Sequence, residues 1–405
     1  MKDPKIRFKG FKGEWVETPL LDVVTLYNGL TYTPNDIRDH GTLVLRSSNV
    51  QEGEISLFDN VYVRSEVATS PNVKKGDIIV VVRNGSRTLI GKHAQIKSDM
   101  PNTVIGAFMA GIHTDEPEFL NALLCTRRFE NEVTINLGAT INQITNGTFH
   151  SMKFLFPDKK EQKALGYYFQ HLDSLIQSTT KKIESLKQVK AASLQSMFPQ
   201  EGETTPRVRF KGFEGEWSIC PLKYFAKKST EKNISMDYTI TLTNSAEYGV
   251  INQRDFFDHD ISNDDHINGY YVIHHDDFVY NPRVSTAAPV GPISRNRLGY
   301  SGVMSPLYLI FRVNGINKDF LSYYFKTTLW HNYMKLEGNT GARFDRLAIS
   351  DEQFFNMPIY YPKDEEEQTA IASYFTNLDR QITLHTQRLE KLKQIKSACL
   401  DNMFV

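Results

Sequence analysis

The chain has 405 residues, of which 40% are hydrophobic, and its 47 basic residues are balanced by 47 acidic ones. This length favours two domains over one, and the zero net charge excludes a chain that is basic throughout, so a nucleic-acid-binding face would have to be local. The three cysteines stand apart without the spacing of metal ligands, and no apolar run is long enough for a membrane span, which together favour a cytoplasmic protein without disulfides or zinc.

A motif near the amino terminus returns in the middle of the chain. Residues 5–15 read KIRFKGFKGEW, and residues 207–217 read RVRFKGFEGEW. The carboxyl-terminal parts of the two halves also match, beginning at Glu161 and Glu367 (367 − 161 = 206). The residues between these segments share little. The sequence therefore predicts a duplicated scaffold that carries two different recognition regions.

The regions between the repeated segments are predicted to be α+β domains. Runs of apolar and β-branched residues indicate strands at 76–82 and 277–280, and the apolar spacing at 118–124 and 319–325 indicates short helices. The order of these elements is the same in both halves. Each half is thus predicted to hold one mixed domain.

Polar residues that suit nucleic-acid binding follow each predicted strand. Arginine and amide side chains can make paired hydrogen bonds to base edges, and they can also bind phosphates. Solvated loops at the ends of strands have the same composition, so this alternative stays open. In the first half the candidates are Arg83, Asn84, Ser86, Arg87, Thr140, Asn142 and Gln143, and in the second half they are Asn281, Arg283, Thr340, Arg343 and Arg346.

Two long amphipathic helices are predicted, one starting at Asp158 and the other at Asp364. Their apolar residues recur three and four positions apart, which is typical of a coiled-coil seam. The seam positions are Phe169, Leu172, Ile176, Thr179, Ile183 and Leu186 in the first helix, and Phe375, Leu378, Ile382, His385, Leu389 and Leu392 in the second. The long connection between the helices allows either parallel or antiparallel pairing. We expect antiparallel pairing, which brings Thr179 near His385, although both could instead be exposed at the helix edge.

Each helix start carries Asp at the N-cap and Glu three residues later, the pattern of a reciprocal capping box. The same residues imitate a metal-dependent nuclease cluster, but a single helical turn separates carboxylates that such nucleases place on different sheet elements. Asn281-Pro282-Arg283 lacks the second proline and the aromatic residue of a base-gripping methyltransferase loop, and no nucleotide-binding GxxxxGK[ST] loop occurs. The sequence predicts recognition without catalytic or metal-binding residues.

Taken together, these features resemble the specificity subunits of type I restriction-modification systems over essentially the whole chain. The resemblance rests on the twin Arg-Phe-Lys-Gly-Phe motifs with Trp15 and Trp217, on the twin helices near Glu161 and Glu367, and on the dissimilar domains between them. It divides the chain into a target-recognition domain at 1–156, a spacer helix at 157–198, a linker at 199–206, a second target-recognition domain at 207–361 and a second spacer helix at 362–405.

The resemblance also implies a function and a set of partners. Each target-recognition domain would read one half of an interrupted sequence in double-stranded DNA, and the antiparallel coiled coil, with its pseudo-two-fold repeat, would fix the gap between the halves. Two modification subunits, with or without two restriction subunits, would methylate adenine or cleave DNA with S-adenosylmethionine, ATP and Mg²⁺. This chain would be no enzyme and hold no cofactor. The alternative is a two-headed protein-binding scaffold without DNA specificity.

Lengthening both spacer helices by one turn should widen the gap between the recognised half-sites and leave the half-sites themselves unchanged. The reason is that the helices, and not the recognition domains, are expected to set the gap. Sequencing of the methylated motif in cells that express the lengthened chain measures both quantities. An unaltered gap would contradict this ruler hypothesis.

Overall fold

The computed structural model describes residues 3–137, 142–256, 264–339 and 345–405. The chain forms two compact units. Unit 1 comprises Met1–Lys181 and Thr386–Val405, and unit 2 comprises Lys182–His385. Each unit therefore contains one mixed domain together with parts of both long helices.

Unit 1 contains two four-stranded sheets and two two-stranded ones among its described residues. The strand orders are β2-β11-β8-β9 and β10-β4-β7-β3, with the pairs β1-β12 and β5-β6 beside them, and only β10 and β4 run parallel within these sheets. The strands are β1 (Val16–Pro19), β2 (Thr25–Asn28), β3 (Ile37–Arg38), β4 (Thr42–Leu45), β5 (Val50–Gln51), β6 (Glu54–Ile55), β7 (Val61–Val63), β8 (Ile78–Val81), β9 (His93–Gln95), β10 (Thr103–Ile105), β11 (Met109–His113) and β12 (Lys153–Phe156). The helices are α1 (Pro117–Leu124), α2 (Arg127–Asn136), α3 (Asn146–Ser151) and α4 (Lys159–Ser196), the last of which continues into unit 2.

The sequence of strand β8 is apolar at every position because the strand packs against a core on each of its faces. Ile78 and Val80 pack into the core that the helices cover, whereas Ile79 and Val81 pack into a second core with β4, β9 and β10. Successive side chains of a strand point to opposite faces, so a strand with a core on each face is apolar at every position. Because β8 is buried on both faces, its end is held in place, and so is the candidate loop at 83–87 that follows it.

Unit 2 repeats the central sheet and the helix arrangement of unit 1. Its sheet β14-β21-β18-β19 has the order of β2-β11-β8-β9, and β13-β22 matches β1-β12, but the pairs β15-β16 and β17-β20 replace the second four-stranded sheet. The strands are β13 (Ser218–Pro221), β14 (Ala226–Ser229), β15 (Leu242–Ser245), β16 (Gly249–Asn252), β17 (Tyr271–Ile273), β18 (Phe278–Tyr280), β19 (Ile293–Arg295), β20 (Gly302–Met304), β21 (Leu309–Val313) and β22 (Pro358–Tyr361). The helices are α5 (Gln253–Phe256), α6 (Lys318–Tyr324), α7 (His331–Glu337), α8 (Asp351–Phe355) and α9 (Glu365–Met403), the last of which ends in unit 1. The predicted α+β class and internal repeat are confirmed.

A buried carboxylate joins the two repeated motifs within each unit. Both oxygens of Glu161 accept hydrogen bonds of 2.7 Å from Nε and Nη2 of Arg7, and the side chain of Glu161 is 1% exposed. Both oxygens of Glu367, also 1% exposed, accept hydrogen bonds of 2.7 Å from the same two nitrogens of Arg209. Paired bonds between guanidinium and carboxylate are strong and fix the orientation of both groups. The amino-terminal motif and the helix start therefore repeat together because they bind each other.

This arrangement corrects the predicted capping box. Asp158 does cap its helix, since Oδ1 accepts hydrogen bonds from the amides of Lys160 and Glu161 at 2.8 and 3.0 Å. The carboxylate of Glu161, however, binds Arg7 instead of returning to the N-cap. The capping prediction was right for the aspartate and wrong for the glutamate.

In both units the start of one long helix runs antiparallel to the end of the other. In unit 1, Phe169 and Asp173 of α4 meet Phe404 and Lys396, so the numbers fall along α9 as they rise along α4. Unit 2 contains the counterparts, in which every residue is shifted by 206 positions and the helices exchange roles. These are Phe375 with Phe198, and Asp379 with Lys190. The predicted antiparallel pairing is confirmed.

The predicted seam residues are buried to different degrees. Those that are buried are Phe169, Leu172, Thr179, Ile183, Leu186, Phe375 and Leu378, and those that are half-buried are Ile176, Ile382, His385, Leu389 and Leu392. The hydroxyl of Thr179 donates a 2.7 Å hydrogen bond to the carbonyl of Leu175, which satisfies this buried polar group within its own helix. In the described part of the chain, neither the long helices nor the shorter ones have an apolar stretch that could cross a membrane.

Replacing Arg209 with alanine should lower the free energy of unfolding of unit 2 by about 3 kcal/mol, because the carboxylate of Glu367 would stay buried without its positive partner, with the 3.4 Å hydrogen bond from Trp217 remaining. Arg207 provides a matched control two residues away, since its exposed guanidinium pairs with Glu203 at 2.9 Å and surface ion pairs contribute little. Denaturant unfolding followed by tryptophan fluorescence measures both variants. Equal losses for Arg209→Ala and Arg207→Ala would refute a special role of the buried pair.

Candidate nucleic-acid interface

The two candidate loops of unit 1 lie side by side at the end of β8. The backbone of Arg83 forms an antiparallel bridge with Gln143. On either side of the bridge, the amide of Asn84 donates to the carbonyl of Asn142 at 3.4 Å, and the amide of Ile144 donates to the carbonyl of Val82 at 2.8 Å. Segments that are about 60 residues apart in sequence thus form one short extension of the central sheet.

Asn142 holds the first loop with both atoms of its side-chain amide. Its Oδ1 accepts a 2.9 Å hydrogen bond from Nε of Arg87, and its Nδ2 donates to the carbonyl of Gly85 at 3.0 Å. Ser86 is exposed, and its hydroxyl lies 2.9 Å from that of Thr88. The loop is therefore tied down at its base while its tip faces solvent.

Two residues that the sequence did not single out complete this surface. Ser47, which follows β4, accepts a 3.1 Å hydrogen bond on its hydroxyl from Nδ2 of Asn84. Phe108 is half exposed, and the guanidinium of Arg83 lies 5.2 Å from the centre of its ring. Ser47 shares the signal that identified Arg83, a polar residue within two positions of the end of a buried apolar strand, whereas nothing in the pattern around Phe108 indicated its position.

Unit 2 builds the same arrangement from different side chains. The backbone of Arg283 forms an antiparallel bridge with Arg346, and the amide of Leu347 donates to the carbonyl of Pro282 at 2.9 Å. Asn281 braces this loop, because its Oδ1 accepts from the amide of Arg283 and its Nδ2 donates to the carbonyl of Asn244, both at 3.0 Å.

The bridges also correct the alignment of the two halves. Arg83 and Arg283 are 200 positions apart, as the sequence indicated (283 − 83 = 200), but their bridge partners Gln143 and Arg346 are 203 apart (346 − 143 = 203). The sequence alignment had placed the second pair of loops 200 apart as well. The stretch between the two bridge residues is thus three residues longer in unit 2. Three further candidates, Thr140, Thr340 and Arg343, lie outside the described residues.

The chemistry of the two surfaces differs. Unit 1 places the exposed Arg83 and Arg87 beside the amides of Asn142 and Gln143, whereas unit 2 sets Arg283 opposite Arg346. An amide side chain matches the donor and acceptor of adenine in the major groove, and a guanidinium matches guanine or phosphate. No group of three or more histidine, cysteine, aspartate or glutamate side chains within the described ranges could hold a metal ion.

Both halves of the chain match the same protein family. The family model described as "Type I restriction modification DNA specificity domain" matches residues 12–188 and again 216–394. The two matches coincide with the two halves of the internal repeat, and together they cover most of the chain.

Two curated proteins align with part of the chain. The Type I restriction enzyme StySPI specificity subunit of Salmonella potsdam is 25% identical over 184 residues, which are 43% of this chain and 40% of that protein. The Type I restriction enzyme EcoKI specificity subunit of Escherichia coli (strain K12) is 24% identical over 227 residues, which are 54% of this chain and 48% of that protein. The chain spans less than half the length of these relatives.

A crystal structure of the S subunit of a type I restriction-modification system from M. genitalium has a similar fold. The comparison covers 100% of this chain and 99% of that chain, with a TM-score of 0.63 and 13% sequence identity. At this identity the similarity shows a shared fold.

Replacing Asn142 with alanine should loosen the loop at 83–87, because the substitution removes hydrogen bonds to Arg87 and Gly85. We expect faster amide hydrogen exchange over this loop and little change in the thermal midpoint of unfolding. Asn136→Ala is the matched control, since Nδ2 of Asn136 only donates to the carbonyl of Glu132 within α2. If exchange over 83–87 were the same in both variants, Asn142 would not be what holds the loop.

Proposed function

Because the chain belongs to the type I restriction-modification DNA specificity family, we propose that it reads double-stranded DNA for a methyltransferase complex in the cytoplasm. In this proposal the target sequence is interrupted, unit 1 reads one half of it and unit 2 reads the other. The chain supplies sequence recognition, and partner subunits supply the catalytic groups.

The observation that carries this proposal is one loop arrangement built twice with different side chains. Arg83 stands opposite Gln143 in unit 1, and Arg283 stands opposite Arg346 in unit 2, at equivalent places on the equivalent central sheets of the two units. A protein that needed two equal binding sites would gain nothing from different side chains at these positions. Two different DNA half-sites require such a difference, since each base pair presents its own pattern of donors and acceptors in the major groove.

The repeated helices support a second part of the proposal, the docking of two modification subunits. Several residues that recur at an offset of 206 are exposed and contribute nothing to the cores, namely Glu184, Lys187 and Gln188 in α4 and Glu390, Lys393 and Gln394 in α9. Matching exposed residues on both helices suit a partner that binds twice. We assign adenine methylation with S-adenosylmethionine to these partners, and ATP- and Mg²⁺-dependent cleavage to restriction subunits where these join the complex.

Methylation mapping tests the proposal directly. DNA from cells that express this chain with its cognate modification subunit is compared with DNA from cells that express the modification subunit alone. We expect an interrupted motif with methylated adenine only when this chain is present. A stable complex without any motif would contradict the proposal and favour a protein-binding scaffold.

Exchange of residues 207–361 for the corresponding domain of another family member provides the internal control. The change should alter one half of the methylated motif and leave the other half as it was, because each unit has its own recognition loops. Alteration of both halves would show that the two domains do not read DNA independently.

A further inference from the structure

Unit 1 carries an exposed apolar tip between β6 and β7. Phe58 is 93% exposed and its neighbour Leu57 is 52% exposed. Single exposed apolar residues are common on protein surfaces and need no explanation. An almost fully exposed phenylalanine beside an exposed leucine does need an explanation if the loop that bears them is held in place.

The loop is held in place by a buried asparagine and an ion pair. Asn49 is fully buried, and its Nδ2 donates to the carbonyls of Ser56 and Asp59 at 2.9 and 3.3 Å. Nη2 of Arg46 donates to Oδ2 of Asp59 at 2.7 Å. The backbone on both sides of Phe58 is thus held in place, so the conformational entropy of a free loop is not lost when a ligand binds.

Unpaired polar atoms surround the base of the same tip. Nε of Arg46, Oγ of Ser48 and Oδ1 of Asn60 are buried and have no hydrogen-bond partner among the residues that the structure describes. Buried polar atoms are rarely left unpaired because the loss of their hydration is costly. These three atoms are inaccessible to a ligand, so the surface that the tip itself offers is the apolar one of Leu57 and Phe58.

The tip borders the candidate recognition loop. Ser47, the neighbour of Arg46, accepts the hydrogen bond from Asn84, and Asn84 follows Arg83 at the end of β8. The segment 46–60 and the loop 83–87 are therefore in direct contact in unit 1.

We propose that Phe58 inserts against a base step of the half-site that unit 1 reads. This inference rests on the proposed function. Apolar side chains used as wedges partly unstack base steps, and aromatic rings stack on bases of any identity. A docked protein is a poorer match, because the tip adjoins the loop that is proposed to read DNA.

The test uses the full-length chain in its complex with the modification subunits and a duplex that contains the mapped motif. The probe 2-aminopurine replaces one adenine at a time in the half-site assigned to unit 1, since its fluorescence rises when a base loses its stacking neighbour. Phe58→Ala should weaken binding about tenfold, the typical effect of removing one stacked ring. It should also abolish the fluorescence rise at one step.

Salt dependence separates this role from a phosphate contact. The side chain of Phe58 is uncharged, so Phe58→Ala should leave the slope of log affinity against log salt unchanged, whereas loss of one phosphate contact lowers the slope by about one. Phe58→Tyr keeps the ring and should keep both affinity and fluorescence. Tyr224→Ala removes an aromatic side chain that is 70% exposed in unit 2 and should behave as the unaltered chain does.

Three outcomes would overturn the inference or its premise, and they are distinct. If Phe58→Ala bound the motif as tightly as the unaltered chain, the tip would not contact DNA. If the variant failed to assemble with the modification subunits, the tip would be a protein contact. If the unaltered complex showed no preference for any motif, the proposed function itself would fail.

Discussion

Two buried carboxylates, Glu161 and Glu367, close each half of the chain on itself. Each accepts paired hydrogen bonds from an arginine that lies 154 or 158 positions earlier, and each is 1% exposed. A buried ion pair tolerates the loss of neither partner, since the remaining charge would stay buried alone. The short motif around Arg7 or Arg209 and the start of the following helix are therefore constrained together. The domain between them can therefore change in sequence as long as the arginine and the glutamate at its two ends still bind each other.

The two units differ in sequence at one edge of each central sheet. The strands β8 and β18 are buried along their length, so they place Arg83 and Arg283 at equivalent positions. The side chains opposite them, Gln143 and Arg346, differ in chemistry. A constant core thus presents a variable surface, and the change of one surface does not require the core to be rebuilt.

The sequence predicted the elements that follow from periodicity and failed where partners are distant. The strand at Ile78–Val81 and the long helices were evident because their apolar spacing is regular. The binding of Arg7 to Glu161 was missed, since a glutamate three residues after an N-cap has an adequate local explanation and spacing does not show which distant group it meets. Phe58 was missed for a related reason. An apolar pair such as Leu57-Phe58 ordinarily belongs to a core, and only the folded chain shows that it faces solvent.

The exchanged helix contacts also bear on the ancestry of the protein. In unit 1 the end of α9 packs beside the start of α4, and in unit 2 the end of α4 packs beside the start of α9. The same backbone hydrogen bond of 2.9 Å joins Ile6 to Asn402 and Val208 to Ser196. Each half thus lends its helix end to the other, as two identical chains do in a domain-swapped dimer. A gene that encoded one half would suffice for such a homodimer, and fusion of two copies would let the two domains diverge in sequence.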